Sequence, residues 1–122
     1  MLMKNNPVRE KSFAFAIRVV NLYKYLSKDK KEFVLSKQLL RCGTAIGALV
    51  REALQAESKP DFIHKLSIAL KEANETEYWV LLLGETGYLN VIETESILAD
   101  NRELLKLLTS IINSTKEGIG KK

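Results

Sequence analysis

Both prolines of this chain stand just behind residues that cap helices, which fixes where two long helices can begin. Asn6 precedes Pro7, a cap followed by proline at the first helical position. Ser58-Lys59-Pro60-Asp61 supplies a second cap, the second proline and an acid for the first turn. The punctuation divides the chain into four segments. The first helix is expected over about 7–27, followed by the connector Ser27-Lys28-Asp29-Lys30-Lys31. Ser36 opens the second, with Leu35 and Leu40 placed as a hydrophobic staple, and it runs to about Glu57. The third is expected over 60–86, where Gly87 suits a left-handed C-cap. Asn90 with Glu93 makes a capping box for the fourth, over 91–115, and the tail 116–122 is expected to fray. Each helix is roughly 30–40 Å long at 1.5 Å per residue. Four similar lengths with short links predict an all-α fold, an up-down-up-down antiparallel four-helix bundle forming one domain over 1–122.

The helices differ in how much of their circumference is apolar. The fourth has one stripe, Ile97, Leu98, Leu104, Leu105, Leu108, Ile111 and Ile112, and needs one buried face. On the first, Phe13, Phe15, Ala16, Val19, Val20, Leu22, Tyr23 and Leu26 spread over an arc wider than a surface helix requires. On the second, apolar residues from Leu39 to Ala56 cover over half the circumference. The surplus predicts a subunit interface, because monomers rarely expose large apolar patches. Phe15, Val19, Leu22, Leu26, Leu40 and Leu54 are its candidates, with Ile68 and Trp79 on the outer side of the third helix. The alternative is a tightly packed core pair. Gly43 and Gly47, one turn apart, each cost about 1 kcal/mol against Ala inside a helix and are explained by close approach of a neighbouring helix. On the third helix Glu77 falls inside the apolar arc, so a buried ion pair with Arg41 or Arg51 is expected.

The chain carries 19 Lys and Arg against 15 Asp and Glu, and the excess sits at the start. Residues 1–34 hold eight basic and three acidic side chains. Lys11, Arg18, Lys24 and Lys28 lie opposite the main apolar arc of the first helix, and Lys30 and Lys31 extend the charge. A basic strip of this kind is a nucleic-acid candidate; the plainer reading is a solvated helix face. No aromatic platform is expected beside it beyond Tyr25, which argues against base-specific readout.

Composition excludes most chemistry. One histidine, His64, and one cysteine, Cys42, cannot build a zinc site or a carboxylate-bridged di-metal site, so no metal and no cofactor is expected. No nucleophile elbow is present, and Glu72, Glu75 and Glu77 point in three directions, so no catalytic residue is expected. A single cysteine fits a reducing cytoplasm. The N-terminal residues have no apolar leader segment, and the longest apolar run, Trp79 to Leu83, is far short of a membrane span.

Two stretches carry a family resemblance. Ser36-Lys37-Gln38-Leu39-Leu40-Arg41-Cys42-Gly43-Thr44-Ala45-Ile46-Gly47-Ala48 resembles the second-helix signature of the 23S rRNA-intervening-sequence family, the S23-type four-helix-bundle proteins. Asp61 to Ala73, followed by Glu75-Thr76-Glu77-Tyr78-Trp79, resembles the third-helix signature, and Gly87-Tyr88-Leu89 the turn after it. Leu49 stands where the family usually has Asn, and Ala45 where Ser is common. The resemblance implies a four-helix bundle assembled as a ring of five. It also extends to accessory proteins of diversity-generating retroelements, which bind nucleic acid and a reverse transcriptase. The expectation is a non-enzymatic homo-oligomer, a homopentamer by resemblance. Its partners would be RNA or DNA through the basic first helix, or a reverse transcriptase encoded beside it. The alternatives are a protein–protein scaffold with no nucleic-acid role, and a small hydrolase or deaminase-like activity using Glu77.

Overall fold

A computed structural model describes residues 6–120, with side chains through Gly118. Four helices follow one another: α1 (Pro7–Lys28), α2 (Leu35–Leu54), α3 (Lys59–Glu85) and α4 (Val91–Gly120). Each neighbour in sequence packs on the next, and α4 returns beside α1 to close an antiparallel four-helix bundle.

The caps explain the boundaries. Asn6 Oδ1 accepts the Arg9 amide at 3.2 Å, and Ser58 Oγ accepts that of Asp61 at 3.2 Å. Asn90 and Glu93 bond reciprocally at 2.9 and 2.7 Å, the expected capping box. Gly87 has φ +86 and closes α3: its amide donates to Gly84 O, and that of Tyr88 reaches back to Leu83 O.

Three boundaries differ from expectation, the plainest being the end of α2, which stops at Leu54 with Gln55 as its C-cap instead of reaching about Glu57. Helix α2 is started by Glu32 rather than Ser36. Lys31 turns the chain through φ 56, and the Glu32 carboxylate then accepts the amides of Val34, Leu35 and Ser36 at 3.2, 2.9 and 2.7 Å. Burial alone raises the Glu32 pKa. The three amides and the Ser36 hydroxyl outweigh it and hold the group below its ordinary value. Helix α4 continues to Gly120 instead of ending near Thr115. No proline follows, and the Thr115 hydroxyl is accommodated on Ile111 O at 2.8 Å. Lys121 and Lys122 lie outside the described residues.

The core follows a seven-residue repeat. On α3 the buried positions are Leu66, Ala69, Ala73, Thr76, Val80 and Leu83, alternating steps of three and four. On α1 they are Val8, Ser12, Phe15, Val19 and Leu26, with half-buried Leu22 completing the series. This 3.5-residue seam is the pattern of helices crossing at about 20°. The α2 glycines explain how near α1 lies. A Cβ on Gly43 would stand 2.9 Å from two Val19 methyls, and one on Gly47 3.1 Å from the Ser12 carbonyl oxygen. Small-residue contact therefore offsets their helix cost, as the sequence predicts.

Asn101 is the one polar side chain of α4 that is fully buried in the core. Its amide donates to the Ala73 carbonyl at 2.9 Å, while its Oδ1 meets no partner. Thr76 is likewise buried, donating to Glu72 O at 2.8 Å and facing Cys42 Sγ at 3.3 Å.

Candidate nucleic-acid interface and exposed apolar faces

The six basic residues singled out on α1 and its connector separate into two groups. Lys11 meets Glu103 at 2.9 Å, and Arg18 meets Asp100 and Ser96 Oγ at 2.6 Å each. Both cations therefore bridge the seam between α1 and α4. The strip opposite the main apolar arc of α1 is partly an inter-helix surface, because α4 brings acids onto it. Lys24, Lys28, Lys30 and Lys31 are exposed, and no ion pair joins them to a described carboxylate. They cluster at one end of the bundle, on the last turns of α1 and the connector. Lys30 Nζ sits 5.8 Å from the Tyr25 ring centre.

The expected buried ion pair of Glu77 with Arg41 or Arg51 is not formed. Glu77 lies at the surface and faces Arg102 at 3.5 Å, its side chain 29% exposed. Arg41 instead bonds Glu75 at 2.5 Å and Glu72 at 3.3 Å. Arg51 stacks over the Phe13 ring at 5.0 Å. The Arg41 bond raises the guanidinium pKa and, with the Trp79 indole N–H at 2.9 Å, lowers that of Glu75. The core position next to Glu77 belongs to Thr76, because the seam repeats every 3.5 residues. A straight wheel of 3.6 residues per turn drifts about 20° per heptad and carries Glu77 into the arc.

The interface candidates are also redistributed. Phe15, Val19 and Leu26 are core residues with at most 3% exposure and cannot meet another subunit. Leu22, Leu40, Leu54 and Trp79 are half-buried against the same core, and Ile68 is half-buried on α3. The apolar breadth of α2 is thus mostly consumed within the protomer, because α1 and α3 flank it on both sides. The uncovered residues are Phe13, Ile17 and Val20 on α1, 53%, 50% and 36% exposed. They form a second line at steps of four and three, offset from the core line. The four- and three-residue spacing beside the core series marks this line in the sequence, and Ile17 belongs to it although the broad apolar arc of α1 does not single it out. Phe33, Val34, Tyr78, Leu81, Val91 and Ile92 are exposed as well.

Among the described residues no group of His, Cys, Asp and Glu is placed to hold a metal ion. Cys42 is buried, and burial raises its thiol pKa, which keeps it a packing residue. His64 is exposed on α3. No helix of the structure is long and apolar enough to cross a membrane.

Comparison with known proteins agrees with this architecture. The family model for the 23S rRNA-intervening sequence protein matches residues 4–110. The chain belongs to that family. A crystal structure of a protein of unknown function from the S23 ribosomal protein family of Bacteroides thetaiotaomicron superposes with a TM-score of 0.85. It is 61% identical in sequence, and the match covers 86% of this chain and 97% of that one. No match was found among curated proteins. The function of the family is not established by these relatives.

Proposed function

We propose that this 23S rRNA-intervening sequence family member has no chemistry of its own. It acts in the cytoplasm as a self-associating helical bundle that docks RNA or DNA through the lysine-rich end of α1. The observation that carries the nucleic-acid reading is the set of exposed lysines, Lys24, Lys28, Lys30 and Lys31, none of them ion-paired to a described carboxylate and their charge diluted only by the exposed Asp29 among them. The uncovered line Phe13, Ile17 and Val20 supports self-association, and the family resemblance supports a ring of five. The lysines would contact phosphates, with Tyr25 beneath Lys30 and the exposed Phe33 two residues after Lys31 as the neighbouring aromatic rings.

Filter binding tests this reading. Structured RNA is expected to bind at about 50 mM salt and to be released steeply as salt rises. Replacing Lys30 and Lys31 together by Ala should weaken binding across sequences and lower the salt slope by about 2. No affinity at low salt would overturn the nucleic-acid role. A protein–protein scaffold would then be the better reading, since the exposed apolar residues favour it independently.

A further inference from the structure

We infer that the nucleic acid docked at the lysine-rich end is single-stranded and seats one unpaired base in the cleft between α1 and α4. This inference rests on the nucleic-acid reading proposed above and specifies the form of the strand and where its base goes. The cleft is lined by Arg18, Asn21, Leu22 and Tyr25 of α1 and by Glu93 and Ile97 of α4, and its volume is about 290 Å³. That lies at the lower edge of ligand pockets, which run from roughly 300 to 1,000 Å³, and suits one planar ring system rather than a whole nucleotide. Half-buried Leu22 and buried Ile97 make its apolar part. The Asn21 amide and the Tyr25 hydroxyl have no hydrogen-bond partner among the described residues.

The charges around the cleft sort a nucleotide into base and phosphate. Lys24 follows Asn21 by three residues, and Lys28 follows Tyr25 by three, so each lysine neighbours a cleft-lining residue on the α1 surface. Lys30 Nζ stands 5.8 Å from the centre of the Tyr25 ring. These cations offer phosphate contacts beside the cleft. Within it, Glu93 presents a carboxylate held by the Asn90 amide at 2.9 Å. The Arg18 guanidinium is already committed to Asp100 and Ser96 across the seam. A phosphate is therefore disfavoured inside, whereas a neutral base gains apolar contact with Leu22 and Ile97 and an aromatic neighbour in Tyr25. The Asn21 amide both donates and accepts, so it suits the edge of any base and favours unpaired bases without reading sequence. In a duplex the bases stay paired and stacked, out of reach of the cleft, and only phosphates meet the lysines.

Fluorescence anisotropy with three labelled probes tests this placement: a single-stranded oligoribonucleotide, the same backbone carrying abasic residues, and the same strand annealed to its complement. The single strand is expected to bind about tenfold tighter than the abasic one, within the range that one stacked base contributes. Tyr25→Leu, which keeps an apolar side chain and removes the ring, should lower single-strand affinity by about tenfold, and Asn21→Ala by a smaller factor. Both variants should bind the duplex and the abasic strand as the unmodified chain does, which also shows that they are folded. Asn21 is exposed, so its variant decides the matter if Tyr25→Leu disturbs packing. Equal affinity for the single and abasic strands, or single-strand binding indifferent to both substitutions, would overturn the base seat and leave phosphate docking standing. No binding of any probe at about 50 mM salt would overturn both.

Discussion

Asn101→Asp is expected to destabilise the bundle by about 3–5 kcal/mol at neutral pH, the usual cost of an uncompensated buried charge. The site offers a carboxylate nothing. Asn101 is fully buried, its Oδ1 already lacks a partner, and its only bond is a donation to the Ala73 carbonyl. A carboxylate loses that donation and adds a charge. Burial raises the folded-state pKa of the new acid above its unfolded value of about 3.9. Below that value both states are protonated, and the neutral acid can donate to Ala73 O, so most of the loss is recovered. As pH rises above it, the unfolded state releases a proton that the folded state retains, and stability falls with pH. Urea unfolding at acid and neutral pH measures the difference. A variant as stable at neutral pH as at acid pH would show that water reaches Asn101.

Gly47→Leu has the second-largest expected effect. Two terms oppose each other. Replacing a mid-helix glycine by leucine gains about 1 kcal/mol of helix propensity. Overpacking a tight contact costs about 1–3 kcal/mol, occasionally more. The upper part of that range applies here, because the obstacle 3.1 Å from a Cβ at Gly47 is the Ser12 carbonyl oxygen of the α1 backbone. A side chain could rotate away; α1 must move as a whole. That movement also opens the Gly43–Val19 contact one turn away. A net loss of about 2 kcal/mol or more is expected, read as a lower denaturation midpoint with unchanged slope. A midpoint at or above that of the unmodified chain would mean that helix propensity wins and that the close approach imposes no constraint.

These two sites differ in how far the sequence revealed them. Gly43 and Gly47 were readable because a glycine pair one turn apart inside a helix has a cost that close packing explains. Asn101 was readable in hindsight only. It fills the gap between Ile97 and Leu104 at steps of four and three, but an apolar stripe is drawn from apolar residues and passes over it. The four helices and most caps followed from residues adjacent in sequence. The Glu32 cap did not, because it depends on the left-handed turn at Lys31. The basic surface was the least legible feature. Whether Lys11 and Arg18 are free depends on where Glu103 and Asp100 arrive from the far end of the chain. That is set by the register of α4 against α1, which neither composition nor periodicity of α1 encodes. The same reason moved Arg41 from Glu77 to Glu72 and Glu75.

The central claim is that a single protomer leaves apolar surface that only another copy covers. Sedimentation of the unmodified chain over a range of concentrations tests it most directly. The account predicts a particle several times the 13.8 kDa protomer mass, reduced to one protomer by Ile17→Glu. A lone 13.8 kDa particle at every concentration would contradict it.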